Sequence, residues 1–226
     1  MSAVERPALP MRPVGSRGIA RPAEAAAALA GLILTAPLIA IASGLILATS
    51  GRPVFFRQER VGQGGRLFWI CKLRTMRPSR GGLDVTGSDD PRITRVGRLL
   101  RKTKIDEIPQ LWNVLKGEMS LVGPRPEVPR YVDPRNPLWE EVLRVLPGMT
   151  DPVSVKLRNE EGLLAAAGGD RDKFYREELI PVKLEGYAAY IRQRSWLTDL
   201  QVIGKTLLAL FTKADAQIGS GPERGL

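Results

Sequence analysis

Histidine is absent from this chain of 226 residues, and cysteine occurs only once, as Cys71. The absence of histidine removes the commonest general base and the commonest zinc ligand of proteins. A single cysteine excludes an internal disulfide and any metal site built on two cysteines. Aromatic residues make up only 6% of the chain, so platforms for stacking single-stranded nucleic acid are scarce. Any chemistry must therefore rely on carboxylates, lysine, arginine, hydroxyl groups or a metal ion.

Positive charge is abundant but unevenly distributed. The chain contains 34 Lys and Arg against 24 Asp and Glu, which gives a net charge of +10. Residues 1–50 carry a net charge of +2, residues 51–130 carry +9, and residues 131–226 carry −1. A concentrated basic block indicates an anionic partner. Lipid headgroups, phosphate-containing substrates and nucleic acid all remain open at this point.

A long apolar segment, residues 23–50, follows a stretch rich in Pro, Gly and Arg, residues 1–22, which we predict to be a disordered basic tail. A straight helix over the apolar segment would be about 42 Å long, enough to cross the roughly 30 Å hydrocarbon core of a bilayer. Pro37 divides the segment into two halves that are each too short to cross, and a kink is expected there.

Arginines flank the apolar segment on both sides, and the positive-inside rule keeps such flanks in the cytoplasm. A re-entrant helix, which enters and leaves through one leaflet, satisfies both the kink and the flanking charge. We favour it over a spanning helix and over a buried helix of a soluble protein. The arginines before the segment are Arg6, Arg12, Arg17 and Arg21, and those after it are Arg52, Arg57 and Arg60.

The remaining patterns predict an α+β, mainly helical catalytic domain over residues 51–212, with a flexible tail at 213–226. Residues 54–56 and 67–73 are predicted strands of a small β-hairpin around a glycine-rich turn. Residues 93–104 have the pattern of an interfacial amphipathic helix, with an ordinary surface helix as the alternative. Further helices are predicted at 138–146, at 170–191 with a break near Pro181, and at 196–211, and loops at 78–91 and 120–129.

Two adjacent carboxylates, Asp106 and Glu107, lie where a capping-box pattern at residues 103–106 predicts the start of a helix that ends at Gly117. Helix starts favour ionised carboxylates, which can act as nucleophiles or as ligands of a divalent metal. The alternative is that they only complement the helix dipole. Arg125, held between two prolines, is suited to bind a phosphate oxygen. Lys72 and Arg74 alternate on a predicted strand and so should point to one face.

Five sequence blocks then come in a characteristic order, at residues 57–62, 72–76, 90–97, 104–113 and 119–126. Over about residues 23–208 the chain resembles the bacterial sugar transferase family, the small monotopic phosphoglycosyl transferases. The resemblance implies transfer of a sugar-1-phosphate from a UDP-sugar to a polyprenyl phosphate, expected to be undecaprenyl phosphate, as the first membrane step of a polysaccharide or glycoconjugate pathway. It also implies a monotopic protein on the cytoplasmic face of the bacterial inner membrane.

The same resemblance assigns roles to individual residues. Asp106 is expected to attack the β-phosphate, release UMP and hold Mg²⁺, with Glu107 as its acidic partner. Arg101 and Arg125 match residues that bind phosphate, and Asp199 matches a further functional aspartate. With Lys72 and Arg74 they complete the expected substrate-binding set. Membrane lipids are expected partners, nucleic acid is not, and a homodimer is left open.

The chain departs from the family pattern in two places. The break in the membrane helix is Ala36-Pro37 where Ser-Pro is common, with Thr35 one residue earlier. Asp151 stands where glycine is common, in a loop that could influence sugar choice, so the sugar is not inferred. A membrane-tethered nucleic-acid-binding protein and a non-catalytic scaffold of the same fold are the competing readings. The intact Asp106 argues against the scaffold.

Overall fold

The structure is a computed structural model, and it describes residues 18–77, 86–157, 159–167 and 170–211. The predicted C-terminal tail and most of the predicted N-terminal tail lie outside these ranges, as does most of the loop predicted at 78–91. The fold is mainly helical with two small sheets, which confirms the predicted class at that level. The domain boundaries remain predictions.

Helix α1 (Arg21–Ser50) contains the whole apolar segment and begins two residues before it. By length and composition it could cross a membrane. Pro37 lies inside it, and the Thr35 hydroxyl donates a hydrogen bond to the Gly31 carbonyl at 2.6 Å. Such a bond to the preceding turn tends to bend a helix. The Thr35 hydroxyl, two residues before the proline, therefore makes the back-bond that a serine directly before the proline would otherwise make.

One stripe of α1 lies against the rest of the protein, and the other faces are exposed. Glu24, Ala28, Ala42 and Ile46 are buried, and their spacing places them on one side of the helix. The exposed side is apolar and includes Ile33, Leu34 and Ile41. A continuous exposed apolar surface of this kind marks a site of contact with lipid or with another protein.

The hairpin is confirmed, with its first strand longer than predicted. Strands β1 (Phe55–Val61) and β2 (Leu67–Leu73) pair antiparallel, from Phe55 opposite Leu73 to Val61 opposite Leu67. Gly64 and Gly65 adopt positive φ in the turn, where a side chain would be strained.

Helix α2 (Arg95–Thr103) confirms the predicted basic amphipathic helix, and the Thr94 hydroxyl caps its start. The capping box predicted at residues 103–106 is wrong. Thr103 is still helical, and its hydroxyl donates back to the Leu99 and Leu100 carbonyls. Lys104 then turns into the left-handed region with φ of 57° and ends α2.

A 3₁₀ segment (Ile105–Gln110) leads into α3 (Leu111–Lys116). The predicted single helix is thus divided, because Pro109 lacks an N–H and restricts the residue before it. Gly117, with φ of 83°, ends α3 as predicted.

The second half of the chain forms a helical layer over a short parallel ladder. The ladder joins β3 (Ser120–Val122) to β4 (Gly148–Thr150), and the sequence did not predict it, because strands of three residues carry too little pattern. The break expected near Pro181 is a π-helical segment (Tyr175–Leu179). The helices are α4 (Pro137–Val142), α5 (Pro152–Lys156), α6 (Glu160–Ala166), α7 (Arg171–Phe174), α8 (Ile180–Gln193) and α9 (Trp196–Phe211).

Candidate active site

Asp106 and Glu107 lie in the first turn of the 3₁₀ segment, directly after the left-handed Lys104. Asp106 is 7% exposed, and its Oδ1 atom is buried without a hydrogen-bond partner among the described residues. Burial, and then the charge of Glu107, raise the pKa of Asp106 above its ordinary value. Burial and Glu107 therefore act against the effect of the helix start, which was expected to favour the ionised form of Asp106.

Glu107 is the centre of a cluster of charges. Its Oε1 lies 2.8 Å from Lys72 Nζ, and Arg125 donates to both carboxylate oxygens, at 2.5 and 3.3 Å. Burial alone would raise the pKa of Glu107, but the charges of Arg125 and Lys72 outweigh it and hold that pKa well below its usual range. Glu107 is thus ionised, with both oxygens engaged.

Lys72 shows the opposite balance. Burial lowers its pKa to about 8, even though Glu107 acts to raise it. The charges of Lys72 and Arg101 also act to lower the pKa of Asp106. The structure thus brings four of the predicted site residues together. We name Asp106, Glu107, Lys72 and Arg125 the carboxylate cluster.

Arg101 stands beside this cluster and is bound by residues from two other segments. Its Nε donates to the Thr75 hydroxyl at 3.0 Å, and its Nη1 lies 3.0 Å from Glu161 Oε1 in α6. Its charge acts to lower the pKa of Asp106. The predicted role of Arg101 in binding phosphate stays a prediction.

Arg74 and Asp199 have other partners. The Arg74 guanidinium is buried and donates to the carbonyl of Ser50, the last residue of α1, and to those of Gly51 and Arg52, which follow it. Asp199 is fully buried and accepts from the Tyr190 hydroxyl and from the backbone N–H of Ile19. These contacts fasten the two ends of α1 to the domain. Substrate binding by Arg74 and Asp199 gains no support from them and stays a prediction.

Asp151, the departure from the family pattern, is also buried, with 0% exposure. Its carboxylate caps α5 by accepting from the N–H groups of Val153 and Ser154, both at 2.8 Å. An aspartate in this position stabilises the start of a helix. The side chain is thus committed to the fold and is not presented to a sugar.

The sequence reasoning missed two charged residues that border the site, Glu127 and Lys183. Both are 4% exposed, and they form an ion pair at 2.6 Å. Glu127 follows the Pro-Arg-Pro block and could have been noticed there. Lys183 lies in a helix that is mostly apolar on its buried side, so a lone lysine would be assigned to the surface.

The residues present are compatible with Mg²⁺ at Asp106. Among the described residues, no group of three or more Asp, Glu, Cys or His side chains could hold a metal by itself. Mg²⁺ commonly binds one or two carboxylates and completes its shell with water and substrate phosphates. The unpartnered, buried Oδ1 of Asp106 is the oxygen that fits this requirement.

Comparison with known proteins now assigns the class. The model of the bacterial sugar transferase family matches residues 16–213, and the chain belongs to this family. A UDP-glucose:undecaprenyl-phosphate glucose-1-phosphate transferase of Caulobacter vibrioides is 39% identical over 81% of the chain and 66% of its own length. A UDP-N-acetylgalactosamine-undecaprenyl-phosphate N-acetylgalactosaminephosphotransferase of Aeromonas hydrophila is 36% identical over 82% of the chain and 42% of its own length.

A third relative is similar to the chain in length. The exopolysaccharide production protein ExoY of Sinorhizobium fredii is 31% identical over 88% of both proteins. The chain thus spans less than two thirds of the first two relatives and most of the third. The first two relatives are named for different sugars, so similarity at this level does not select one.

Proposed function

We propose that this protein transfers a sugar-1-phosphate from a UDP-sugar to undecaprenyl phosphate through a covalent intermediate on Asp106. The observation that carries the proposal is the contrast between the two neighbouring carboxylates. Asp106 has a buried oxygen without a partner, whereas both oxygens of Glu107 are occupied by Lys72 and Arg125. Of these two carboxylates, Asp106 is the one with an oxygen unpaired among the described residues, so we assign the attack to it. The names of the relatives support the reaction class and its role as an early step in polysaccharide synthesis.

In the first half-reaction, an Asp106 oxygen forms a bond to the β-phosphorus of the UDP-sugar. The bond from that phosphorus to the oxygen bridging the two phosphates breaks, and UMP leaves with the electron pair. In the second, an oxygen of undecaprenyl phosphate attacks the same phosphorus and Asp106 leaves as a carboxylate. The overall exchange conserves one phosphoanhydride bond, so it needs no other energy source.

The surrounding cations make attack by a weak nucleophile feasible. In this mechanism Arg101 and Arg125 neutralise the negative oxygens of the donor phosphates, because preorganised charges of this kind stabilise phosphoryl transfer. Lys72 and Arg125 both engage Glu107, which orients them before the donor arrives. Mg²⁺ bound by Asp106 and the donor phosphates would supply further neutralisation of phosphate charge.

We also propose that α1 is re-entrant and that the domain lies on the cytoplasmic face of the membrane. At the start of α1, Arg21 donates to the Val114 and Met119 carbonyls, and at its end Arg74 binds Ser50 and Gly51. Both ends thus contact one domain, which supports entry and exit on the same side. The flanking arginines favour the cytoplasm as that side.

Labelling of the protein without acceptor tests the mechanism. Purified protein is incubated with Mg²⁺ and radiolabelled UDP-sugars, and the adduct is located by mass spectrometry. We expect sugar-phosphate label on Asp106, release of UMP and ping-pong kinetics. Asp106→Asn should abolish both label and turnover, whereas Asp133→Asn, which changes an exposed aspartate paired with Arg135, should leave both intact.

Other outcomes would be equally informative. Label on Glu107 would keep the covalent chemistry but reverse the roles of the two carboxylates. Good turnover without any label, together with ternary-complex kinetics, would replace the mechanism by direct transfer. Absence of UMP release with every UDP-sugar tested would favour the scaffold alternative.

A further inference from the structure

The loop that carries Arg125 ends on a buried charge cluster that the proposed reaction does not use. Glu127 Oε1 accepts from Lys183 Nζ and from the Tyr175 hydroxyl, both at 2.6 Å. Lys183 also lies 2.7 Å from that hydroxyl. All three side chains are buried. Lys183 comes from α8 and Tyr175 from the π-helical segment, so two elements meet on one carboxylate.

The hairpin holds the same end of the loop from the other side. Arg60 in β1 donates to the Pro126 carbonyl at 3.0 Å and lies 3.8 Å from Glu127 Oε2. The backbone N–H of Val61 donates to the Glu127 carbonyl at 2.9 Å. Glu127 is therefore fixed through both its side chain and its backbone.

The opposite end of the loop is held by hydrogen bonds between backbone groups. The N–H of Gly123 donates to the Thr150 carbonyl at 3.0 Å, and the N–H of Gly148 donates to the Pro124 carbonyl at 2.9 Å. A Cβ atom on Gly148 would lie 2.1 Å from the Gly123 nitrogen, so only glycine permits this approach. With both ends held and a proline on each side, Arg125 has little freedom except in its own side chain.

A buried ion pair is a poor device for stability alone. Taking two charges out of water costs free energy that their attraction often only balances, and apolar replacements are often as stable. Such a pair does fix the positions of its residues, because a carboxylate that accepts from several donors allows few arrangements of those donors around it. The partners of Lys183 are Glu127, Tyr175 and Glu160, none of them in the carboxylate cluster.

We propose that Lys183 is a positioning residue, which through Glu127 sets the Arg125 guanidinium against Glu107 and the donor phosphates. The part of this inference that concerns phosphates rests on the proposed function. The part that concerns the loop rests on the geometry alone. Lys183 touches neither the nucleophile candidate nor Glu107, and it acts only by fixing the backbone that presents Arg125.

A double-mutant cycle tests whether Lys183 acts through Arg125. Lys183→Met and Arg125→Lys are each expected to lower kcat/KM for the UDP-sugar by about tenfold, and the combined variant should be little worse than Arg125→Lys alone. A combined loss of about a hundredfold would mean independent effects and would overturn the inference. Lys183→Arg should recover most of the activity, because it restores the charge.

Two further variants separate positioning from general damage. Arg192 lies in α8, as Lys183 does, and forms a surface ion pair with Glu141 in α4. Arg192→Met removes this pair and should leave kcat/KM unchanged. Lys183→Met combined with Glu127→Gln removes both members of the ion pair, and Arg60 keeps its hydrogen bonds to the Pro126 carbonyl and to Gln58 Oε1. The double variant should therefore fold even if Lys183→Met does not. This double variant should lose as much kcat/KM as Lys183→Met does, and its loss should likewise not add to that of Arg125→Lys.

Hydrogen exchange distinguishes failure of this inference from failure of the proposed function. In protein without substrate, the amides of Arg125, Glu127 and Val61, whose N–H binds the Glu127 carbonyl, should exchange faster in Lys183→Met and in Lys183→Met/Glu127→Gln. Arg192→Met should leave them unchanged. Unaltered exchange would overturn the anchoring role whatever the enzyme's activity. Faster exchange in a protein that transfers no sugar-phosphate would retain the anchor and reject the function.

Discussion

Arg125 is the residue at which charge, geometry and loop structure meet. Its guanidinium reaches both oxygens of Glu107, an arrangement that a planar fork with several N–H donors can make. An ammonium group carries the same charge but cannot contact two oxygens in this way. Replacement of Arg125 by lysine therefore keeps the positive charge and removes the two-pronged geometry of the N–H donors.

Arg125→Lys is expected to lower turnover by about tenfold or more, which corresponds to loss of roughly 1.5–3 kcal/mol from one charge-assisted hydrogen bond in the transition state. UMP release at saturating UDP-sugar measures the effect, and Arg192→Lys on the surface of α8 provides the control. Unchanged turnover would mean that Arg125 serves only to hold Glu107.

Glu107 should be needed for the arrangement of cations more than for attack. Glu107→Gln removes the charge that holds Lys72 and Arg125, both of which would then repel each other with less compensation. We expect slower turnover with residual label on Asp106 in the acceptor-free assay. Complete loss of label, with the protein still folded by circular dichroism, would show that Glu107 takes part in the attack itself.

The lowered pKa of Glu127 predicts that the folded state loses stability in acid. Burial acts to raise its pKa, but Lys183 and Arg60 outweigh it, and the pKa lies below the ordinary value of 4.5. A lowered pKa in the folded state stabilises the fold above the unfolded value, and this contribution disappears as the pH falls from about 4.5 through the folded pKa. Lys183 stays protonated throughout this range, because its pKa is raised.

Melting curves of the detergent-solubilised protein between about pH 6 and pH 3 should therefore differ between variants. The Glu127→Gln/Lys183→Met pair lacks this contribution, so its melting temperature should fall less steeply with acid than that of the unchanged protein. Equal slopes would show that the pKa of Glu127 does not differ between the folded and unfolded states, which would contradict the stabilising ion pair with Lys183.

Individual residues of the site were only partly predictable from the sequence. Asp106, Glu107, Lys72 and Arg125 come together as expected, because each lies in a block with a recognisable pattern. The contacts of Arg74 could not be foreseen, since β2 ends at Leu73 and the chain turns away one residue later. Strand alternation holds only while the strand continues.

At the scale of elements, helical periodicity and glycine-rich turns gave reliable predictions, whereas the capping-box pattern did not. The limits of α9 were predicted without error, and the hairpin was found from its glycine-rich turn. The capping box at residues 103–106 failed because a Thr at the end of one helix and a Thr at the start of another look alike in sequence. The β3–β4 ladder depends on the close approach of Gly123 and Gly148, which are distant in the chain.

Pro37 is the element-scale feature that we expect to control the membrane helix. Proline removes one backbone hydrogen bond and disfavours a straight helix, so Pro37→Leu should favour a straight segment long enough to span. We expect part of the protein to adopt a topology with its N-terminus outside, together with lower activity per molecule. Accessibility of a cysteine introduced near the N-terminus measures the shift, with Pro22→Leu, at the first turn of the helix, as the control.

At the scale of the whole molecule, exposed apolar side chains lie on more than one element. They occur on α1, on α2 at Leu99 and on α9 at Trp196, Leu200 and Leu207. Basic residues accompany Leu99 on α2, a combination typical of a helix lying in the plane of an anionic membrane surface. Exposed apolar side chains on these three elements support the proposal that the protein lies on a membrane.

The contacts at the two ends of α1 indicate on which side of the membrane each end lies. A spanning helix places its ends on opposite sides of a hydrocarbon core roughly 30 Å thick. Here Glu24 near the start accepts from the Leu121 N–H at 3.0 Å, and the carbonyls of Ser50 and Gly51 at the end accept from Arg74. Because one domain binds both ends, both should lie on one side of the membrane.

Cysteine labelling in intact cells tests this topology. With Cys71 replaced by serine, Ser2→Cys reports the N-terminal side of α1, and Asp133→Cys, at an exposed position of the domain, reports the other. A membrane-impermeant maleimide should label neither site until the inner membrane is opened, and both sites afterwards, because neither terminus of α1 crosses. Labelling of position 2 in cells whose position 133 stays protected would instead require a spanning helix, and the contacts at one end of α1 would then have to be absent in the membrane.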